Sequence, residues 1–166
     1  MWIDWDSIDS HLKFMHSPSY TPFKSLLAEI TTAIHLFHIS PIPFPPSVLG
    51  QAPCVEFATF FSAEPGFLQN MEKLISELTK NKESVDGYFG SAYGESIEEV
   101  VKWSEIGTEE EGKEGNKAKA LTVLLGWESK EHHERFRETE LFKENVSLLR
   151  EKNRGAEIFH VKFTAV

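Results

Sequence analysis

The sequence lacks several features that would point to common functions. Its 166 residues include one cysteine, Cys54, so an intrachain disulfide and a cysteine-based zinc site are both excluded. No apolar run approaches the roughly 20 residues that a membrane helix needs, and no signal segment opens the chain. We therefore expect a soluble cytoplasmic protein without a membrane partner.

Positive charge is also scarce. The chain has 17 lysines and arginines against 26 aspartates and glutamates, a formal charge of −9, which argues against nucleic acid as a partner. The glycines at 87, 90 and 94 lack the spacing of a phosphate-binding loop. His132 and His133 are adjacent, not four residues apart as in a helical metal pair. We predict neither a metal nor a cofactor.

The chain contains one stretch twice. Shifted by 122 positions, Trp5–Ile39 aligns without a gap on Trp127–Val161. Ten positions are identical, and those with chemically distinctive side chains are Trp5/Trp127, Ser7/Ser129, His11/His133, Phe14/Phe136 and His38/His160. A match of this length across a strand end, a helix and a strand indicates an internal duplication.

The pattern of apolar residues divides the chain into three parts. Residues 1–40 predict strand, helix and strand, with Ser7 as a helix N-cap and a break at Pro18. Residues 41–53 form a proline-rich linker. Residues 54–166 predict the order βαββαβ, with a helix over Gly66–Asn81, a short helical pattern over Ser96–Trp103 and an acidic insertion at 94–118.

The order βαββαβ predicts an α+β fold of the ferredoxin-like type, an antiparallel sheet with its helices on one face, preceded by a partial βαβ repeat. The other face of such a sheet is apolar and has to be covered. The partial repeat is too small to cover it alone, so we expect a homodimer.

The run Gly126-Trp127-Glu128-Ser129, with His133, Phe136 and Phe159-His160-Val161 after it, resembles the dimeric α/β-barrel superfamily, the antibiotic-biosynthesis-monooxygenase and stress-responsive group. It resembles fungal tandem-repeat members, with the first repeat truncated here. The resemblance implies a pocket between a sheet and its own helices, lined here from Phe57, Tyr88, Trp127, His133, Phe136 and His160. It also implies a small hydrophobic or aromatic ligand and, as one possible activity, a cofactor-independent monooxygenase or polyketide cyclase.

Three residues are candidates for catalysis. A helix-borne imidazole at His133, or the one at His160, could act as a general base, and Tyr88 could orient a substrate oxygen. Trp127, Phe57, Phe136, Tyr93 and Trp103 are the candidate ligand-binding residues. The alternative is that the duplicated histidines and Trp127 have packing roles, in which case the protein is a non-catalytic binding or assembly protein of the same fold.

Overall fold

The structure is a computed structural model that describes residues 1–32, 34–61, 63–102 and 117–164. The chain forms two compact units, Met1–His38 and Ile39–Val166. In the described parts of the chain, no helix is long and apolar enough to cross a membrane.

The first unit is a pair of helices, α1 (Ile8–Met15) and α2 (Tyr20–Ile30). The Ser7 hydroxyl accepts a hydrogen bond from the Ser10 backbone N–H at 3.1 Å, which confirms the predicted N-cap. The helices are separated around Pro18, also as predicted. The structure differs from expectation at the flanks, because in the described residues neither 2–5 nor 34–38 forms a strand ladder. A strand needs a hydrogen-bonded neighbour, and the unit offers only helices.

The second unit is built on a four-stranded sheet. Its strands are β1 (Cys54–Phe61), β2 (Tyr88–Glu95), β3 (Ala120–Trp127) and β4 (Ala156–Val161), in the spatial order β2-β3-β1-β4. Every neighbouring pair is antiparallel. This topology confirms the predicted ferredoxin-like α+β fold.

One face of the sheet carries the main core. The short helix α3 (Val48–Gln51) precedes β1, and helix α4 (Phe67–Lys80) follows it. Helix α4 buries a stripe of Phe67, Met71, Leu74 and Leu78. This stripe packs with side chains that alternate along β1 and β3, and the cluster includes Ala58, Phe60, Leu121, Val123, Leu125 and Trp127. Helices α5 (Lys130–Phe136), α6 (Glu140–Asn145) and α7 (Ser147–Arg150) add to this layer through Phe136, Phe142, Leu148 and Leu149.

The proline-rich segment packs on the opposite face and edge of the sheet. Ile42 exchanges two backbone hydrogen bonds with Tyr93 of β2, at 2.8 and 3.1 Å. Val48 of α3 and the following Ala52 are buried beside Gly126 of β3. These contacts place residues 41–53, which we predicted as a linker, within the second compact unit.

The prediction of a short helix over Ser96–Trp103 is wrong for the residues that the structure describes. Ser96 and Val100 form isolated bridges with Ile39 and Ala118. The Ser96 backbone N–H donates to the Ala120 carbonyl at 2.7 Å, so the backbone continues the β2–β3 ladder in place of a helical turn. Trp103 and most of the acidic insertion lie outside the described residues.

Candidate functional site

The site begins where β3 ends and α5 starts. Trp127 is the last residue of β3 and is fully buried. His133 and Phe136 lie three residues apart on α5 and are its buried residues, so both face the same side. The His133 ring stacks on Trp127 with centroids 5.3 Å apart and planes inclined by 21°, and the Phe136 ring lies 5.3 Å from Trp127. The short turn from strand to helix therefore fixes an imidazole over an indole.

The last strand brings a second histidine to the first. Alternation along β4 places His160 on the helix-facing side of the sheet, opposite Glu56 of β1. His133 Nδ1 and His160 Nε2 are 2.8 Å apart and share a hydrogen bond. His133 is buried and His160 is half-buried, so the pair runs from the interior toward solvent.

Glu56 completes the cluster and is the residue that sequence reasoning missed. Its Oε2 lies 3.3 Å from His133 Nε2 and accepts a hydrogen bond from the Trp127 indole N–H at 3.4 Å. The available signal was the alternation of β1, because Glu56 shares a strand face with Ala58 and Phe60, which belong to the core. A carboxyl at such a position is expensive to bury unless it has a polar partner.

Burial shifts the pKa of both members of this pair, in opposite directions. Loss of solvent raises the pKa of Glu56 to about 7, against smaller lowering effects of Trp127 and Arg137. Loss of solvent also lowers the pKa of His133 to about 4, with His160 and Arg137 adding to the decrease. Between these values we assign neutral forms to both groups, so that their 3.3 Å contact is a polar contact and not an ion pair. The pKa of His160 is lowered by burial and then by Lys130.

Tyr88 lies on the same side of the sheet as Trp127, with its ring 5.4 Å from the indole. It is buried, and burial raises the pKa of its hydroxyl against opposing interactions with Ser91 and Thr79. The hydroxyl makes no hydrogen bond of good geometry within the described residues. Tyr88, Trp127, His133, Phe136 and His160 thus form one connected cluster of side chains.

Three other candidate residues are not brought into this cluster. Phe57 pairs with Phe159 in the β1–β4 ladder, one residue out of step with Glu56 and His160. It therefore lies on the opposite face and cannot line the same space, a consequence of strand alternation. Tyr93 is on the helix-facing side, where its hydroxyl donates to Glu72 of α4 at 3.4 Å. Trp103 lies outside the described residues.

The first unit repeats part of the site. His11 stacks on Trp5 with centroids 4.6 Å apart and planes inclined by 18°. His11 Nδ1 lies 2.7 Å from His38 Nε2, the same atoms and nearly the same distance as in the second unit. The duplicated residues thus keep their mutual geometry, while Glu56 precedes the duplicated stretch and belongs to the second unit alone.

Metal ligands do not assemble here. Among residues 1–32, 34–61, 63–102 and 117–164, no three histidine, cysteine or acidic side chains are grouped to hold an ion. His132 points instead to Ser129, whose hydroxyl is 3.0 Å from its Nδ1, and to Asp86.

The fold has counterparts among solved structures. No protein-family profile matches the chain, and no curated protein matches its sequence. An anthrone oxidase-like protein superposes with a TM-score of 0.55 and 19% identity over 94% of this chain and 66% of its own. A protein from Lactobacillus acidophilus, described as a monooxygenase, gives 0.51 and 9% identity over 94% and 65%. The cofactor-independent oxygenase SnoaB from Streptomyces nogalater gives 0.45 and 12% identity over 69% and 97%. This chain thus spans about two thirds of the length of the first two.

Proposed function

We propose that this chain, which has the ferredoxin-like fold of the antibiotic-biosynthesis-monooxygenase type, binds a small aromatic molecule beside His160 and oxidises it without a cofactor. The observation that carries the proposal is the hydrogen bond of 2.8 Å between buried His133 and half-buried His160. It leaves the outer imidazole neutral and oriented, as a general base requires.

The surroundings favour an aromatic substrate. Trp127, Phe136 and Tyr88 form a continuous set of rings behind the histidines. A ligand would approach at His160, because the other rings are buried. A planar aromatic molecule could stack on the exposed part of the His160 imidazole.

Anthrone is the probe that the structural neighbour suggests. Its CH₂ group between two aromatic rings is acidic, so a neutral imidazole could remove one proton and leave a delocalised anion. Molecular oxygen would then oxidise this carbon by four electrons. One oxygen atom becomes the new carbonyl oxygen, and the other leaves as water with the two hydrogens of the CH₂ group.

A second function is favoured by the first unit. Its Trp5, His11 and His38 adopt the same arrangement as the second unit, although Glu56 belongs to the second unit alone. The shared arrangement could therefore serve to hold a helix on a strand end in a non-catalytic binding or assembly protein. On either reading we propose that Met1–His38 is a partial repeat and that the chain works as a homodimer.

Oxygen consumption with anthrone, without added flavin or metal, separates these functions. We expect one O₂ per anthrone for the parent protein, a loss of kcat of about 100-fold or more in His160→Asn, and no loss in His38→Asn, its counterpart in the first unit. Absence of turnover in the parent, or equal rates in parent and His160→Asn, would favour the assembly protein.

A further inference from the structure

We propose that Glu56 is the terminal proton acceptor of the site, so that a proton taken up by His160 from an uncharged carbon or oxygen acid passes through His133 to the Glu56 carboxylate. The substrate step rests on the proposed function, whereas the exchange of protons among the three side chains does not. Glu56 acts through His133 and has no contact with the bound molecule.

The three groups form a continuous path of close polar contacts, of which the one between the two histidines is a hydrogen bond. It runs from His160 Nε2 to His133 Nδ1 over 2.8 Å, and from His133 Nε2 to Glu56 Oε2 over 3.3 Å. The Trp127 N–H donates to the same Oε2 and holds the carboxyl in place. Because both nitrogens of His133 are engaged, this ring can receive a proton on one side while it releases one on the other.

The protons balance without a charged His133. At the start Glu56 is ionised, His133 carries its proton on Nε2, and His160 carries its proton on Nε2 and donates it to His133 Nδ1. When His160 Nδ1 takes the substrate proton, the Nε2 proton of His160 moves to His133 Nδ1, and the Nε2 proton of His133 moves to Glu56. At the end both imidazoles are neutral, Glu56 is a carboxylic acid, and the substrate is an anion.

Burial makes this path preferable to one that stops at a histidine. His133 is only 8% exposed to solvent, so burial disfavours the positive charge that an imidazolium would carry there. The raised pKa of Glu56, the result of its burial, makes the carboxylate an adequate base near neutral pH. The charged groups that act on the path are Arg137 on Glu56 and His133, Glu134 on both histidines, and Lys130 on His160. Cys54 also lies near Glu56, and its own thiol pKa is raised by burial.

The path also defines a substrate class. The negative charge moves from Glu56 to the bound molecule, so the net charge of the site stays constant. A molecule that already carries a carboxylate would bring a second negative charge close to the first. An uncharged acid with a delocalised conjugate base, such as a phenol or an anthrone, fits the transfer.

The first test is infrared difference spectroscopy during anaerobic mixing with anthrone above pH 7. Without oxygen the anthrone anion accumulates and is seen by its visible absorption. We expect a protonated-carboxyl band to grow together with the anion in the parent protein and in His11→Asn, the matched control in the first unit. The band should be missing in Glu56→Gln. Anion formation in the parent without this band would overturn the proposal.

Turnover provides a second readout. Glu56→Gln keeps the size of the side chain and its hydrogen-bonding capacity but cannot take up a proton. We expect kcat for anthrone to fall by about 100-fold or more with KM unchanged, and Glu56→Asp to restore part of the rate. An unchanged kcat in a folded Glu56→Gln protein would contradict the proton-accepting role.

If the parent protein forms no anthrone anion, the proposed function fails while the relay is still tested in the free protein by ¹⁵N NMR of the imidazoles. Protonated Glu56 donates to His133 Nε2, so Nδ1 carries the proton of His133. Ionised Glu56 accepts from Nε2–H, so Nδ1 accepts from His160. Both tautomers should exchange together as Glu56 titrates, and tautomers that stay fixed across this titration would disprove the relay.

Discussion

Glu56 and His133 are neighbours whose protonation depends on folding in opposite senses. The folded protein favours the protonated acid at Glu56, because its pKa rises from 4.5 to about 7. It favours the neutral base at His133, because its pKa falls from 6.5 to about 4. Between pH 4.5 and 6.5 the folded and unfolded states of this pair each bind one proton, so the pair contributes no pH dependence to stability there.

Substitution of either residue should reveal how the other makes stability depend on pH. Because the pKa of Glu56 is higher in the folded state, the parent loses stability through Glu56 as pH rises. The free energy of unfolding of Glu56→Gln should therefore increase relative to the parent by about 3 kcal/mol between pH 4.5 and 7. Because the pKa of His133 is lower in the folded state, the parent loses stability through His133 as pH falls. The free energy of unfolding of His133→Gln should therefore increase relative to the parent by about 3 kcal/mol between pH 6.5 and 4. Urea unfolding of the three proteins across this range measures both differences.

The informative result is that the stability difference between variant and parent changes with pH in opposite directions for Glu56→Gln and His133→Gln. Slopes of the same sign, or parallel curves for parent and variants, would show that the pair is not buried in neutral form. His11→Gln is the matched control, since it alters the equivalent ring in the first unit and leaves Glu56 and His133 in place.

At the level of elements, the short helix α3 contacts the sheet through a position that has no side chain. A Cβ on Gly126 would lie 2.4 Å from a Val48 methyl carbon and 2.8 Å from the Ala52 Cβ. Neither distance is compatible with van der Waals contact, so the glycine allows α3 to approach β3. The proline-rich segment is thereby tied to the sheet by packing as well as by its bridge at Ile42.

We therefore expect Gly126→Ala to destabilise the protein by about 1–3 kcal/mol, because a methyl group would be forced into a filled space. Gly50→Ala is the control on α3 itself, where an added Cβ meets nothing within 4 Å. That variant should be neutral or slightly stabilising. Thermal and chemical unfolding compare the two, and an unaffected Gly126→Ala would show that α3 does not pack here.

At the level of the whole molecule, β4 carries two large apolar side chains that are about half exposed, Phe159 at 51% and Ile158 at 49%. They point to opposite faces of the sheet, since Phe159 pairs with Phe57 and Ile158 with Ala58. Phe159 is on the face away from α4 and α5. The homodimer that we propose would cover this face and leave Ile158 outside the interface.

Sedimentation at micromolar concentration tests this assembly. We expect a dimer for the parent, and a dissociation constant raised about tenfold or more by Phe159→Asp, because the buried part of a phenylalanine is worth at least about 1.4 kcal/mol. Ile158→Asp has the same chemistry at the same exposure on the other face and should leave the dimer intact. A monomeric parent, or equal effects of the two variants, would exclude this interface.

Sequence patterns were sufficient for the elements whose side chains repeat with a fixed period. The stripe of α4 predicted a helix one residue longer at each end than the structure has. The resemblance implied that Trp127, His133, Phe136 and His160 lie near one another, and the ring contacts join them in the structure. The strands expected around α1 and α2 did not form, since strand structure depends on a neighbour that local sequence does not specify.

The sequence by itself determined the βαββαβ order and the residues that the two units share. The tertiary structure decided the rest, because it depends on which strands are adjacent. Only the pairing of β1 with β3 and β4 brings Glu56 within reach of Trp127 and His133, residues 71 and 77 positions away. Burial at that point then sets the protonation of the pair, which no local pattern encodes.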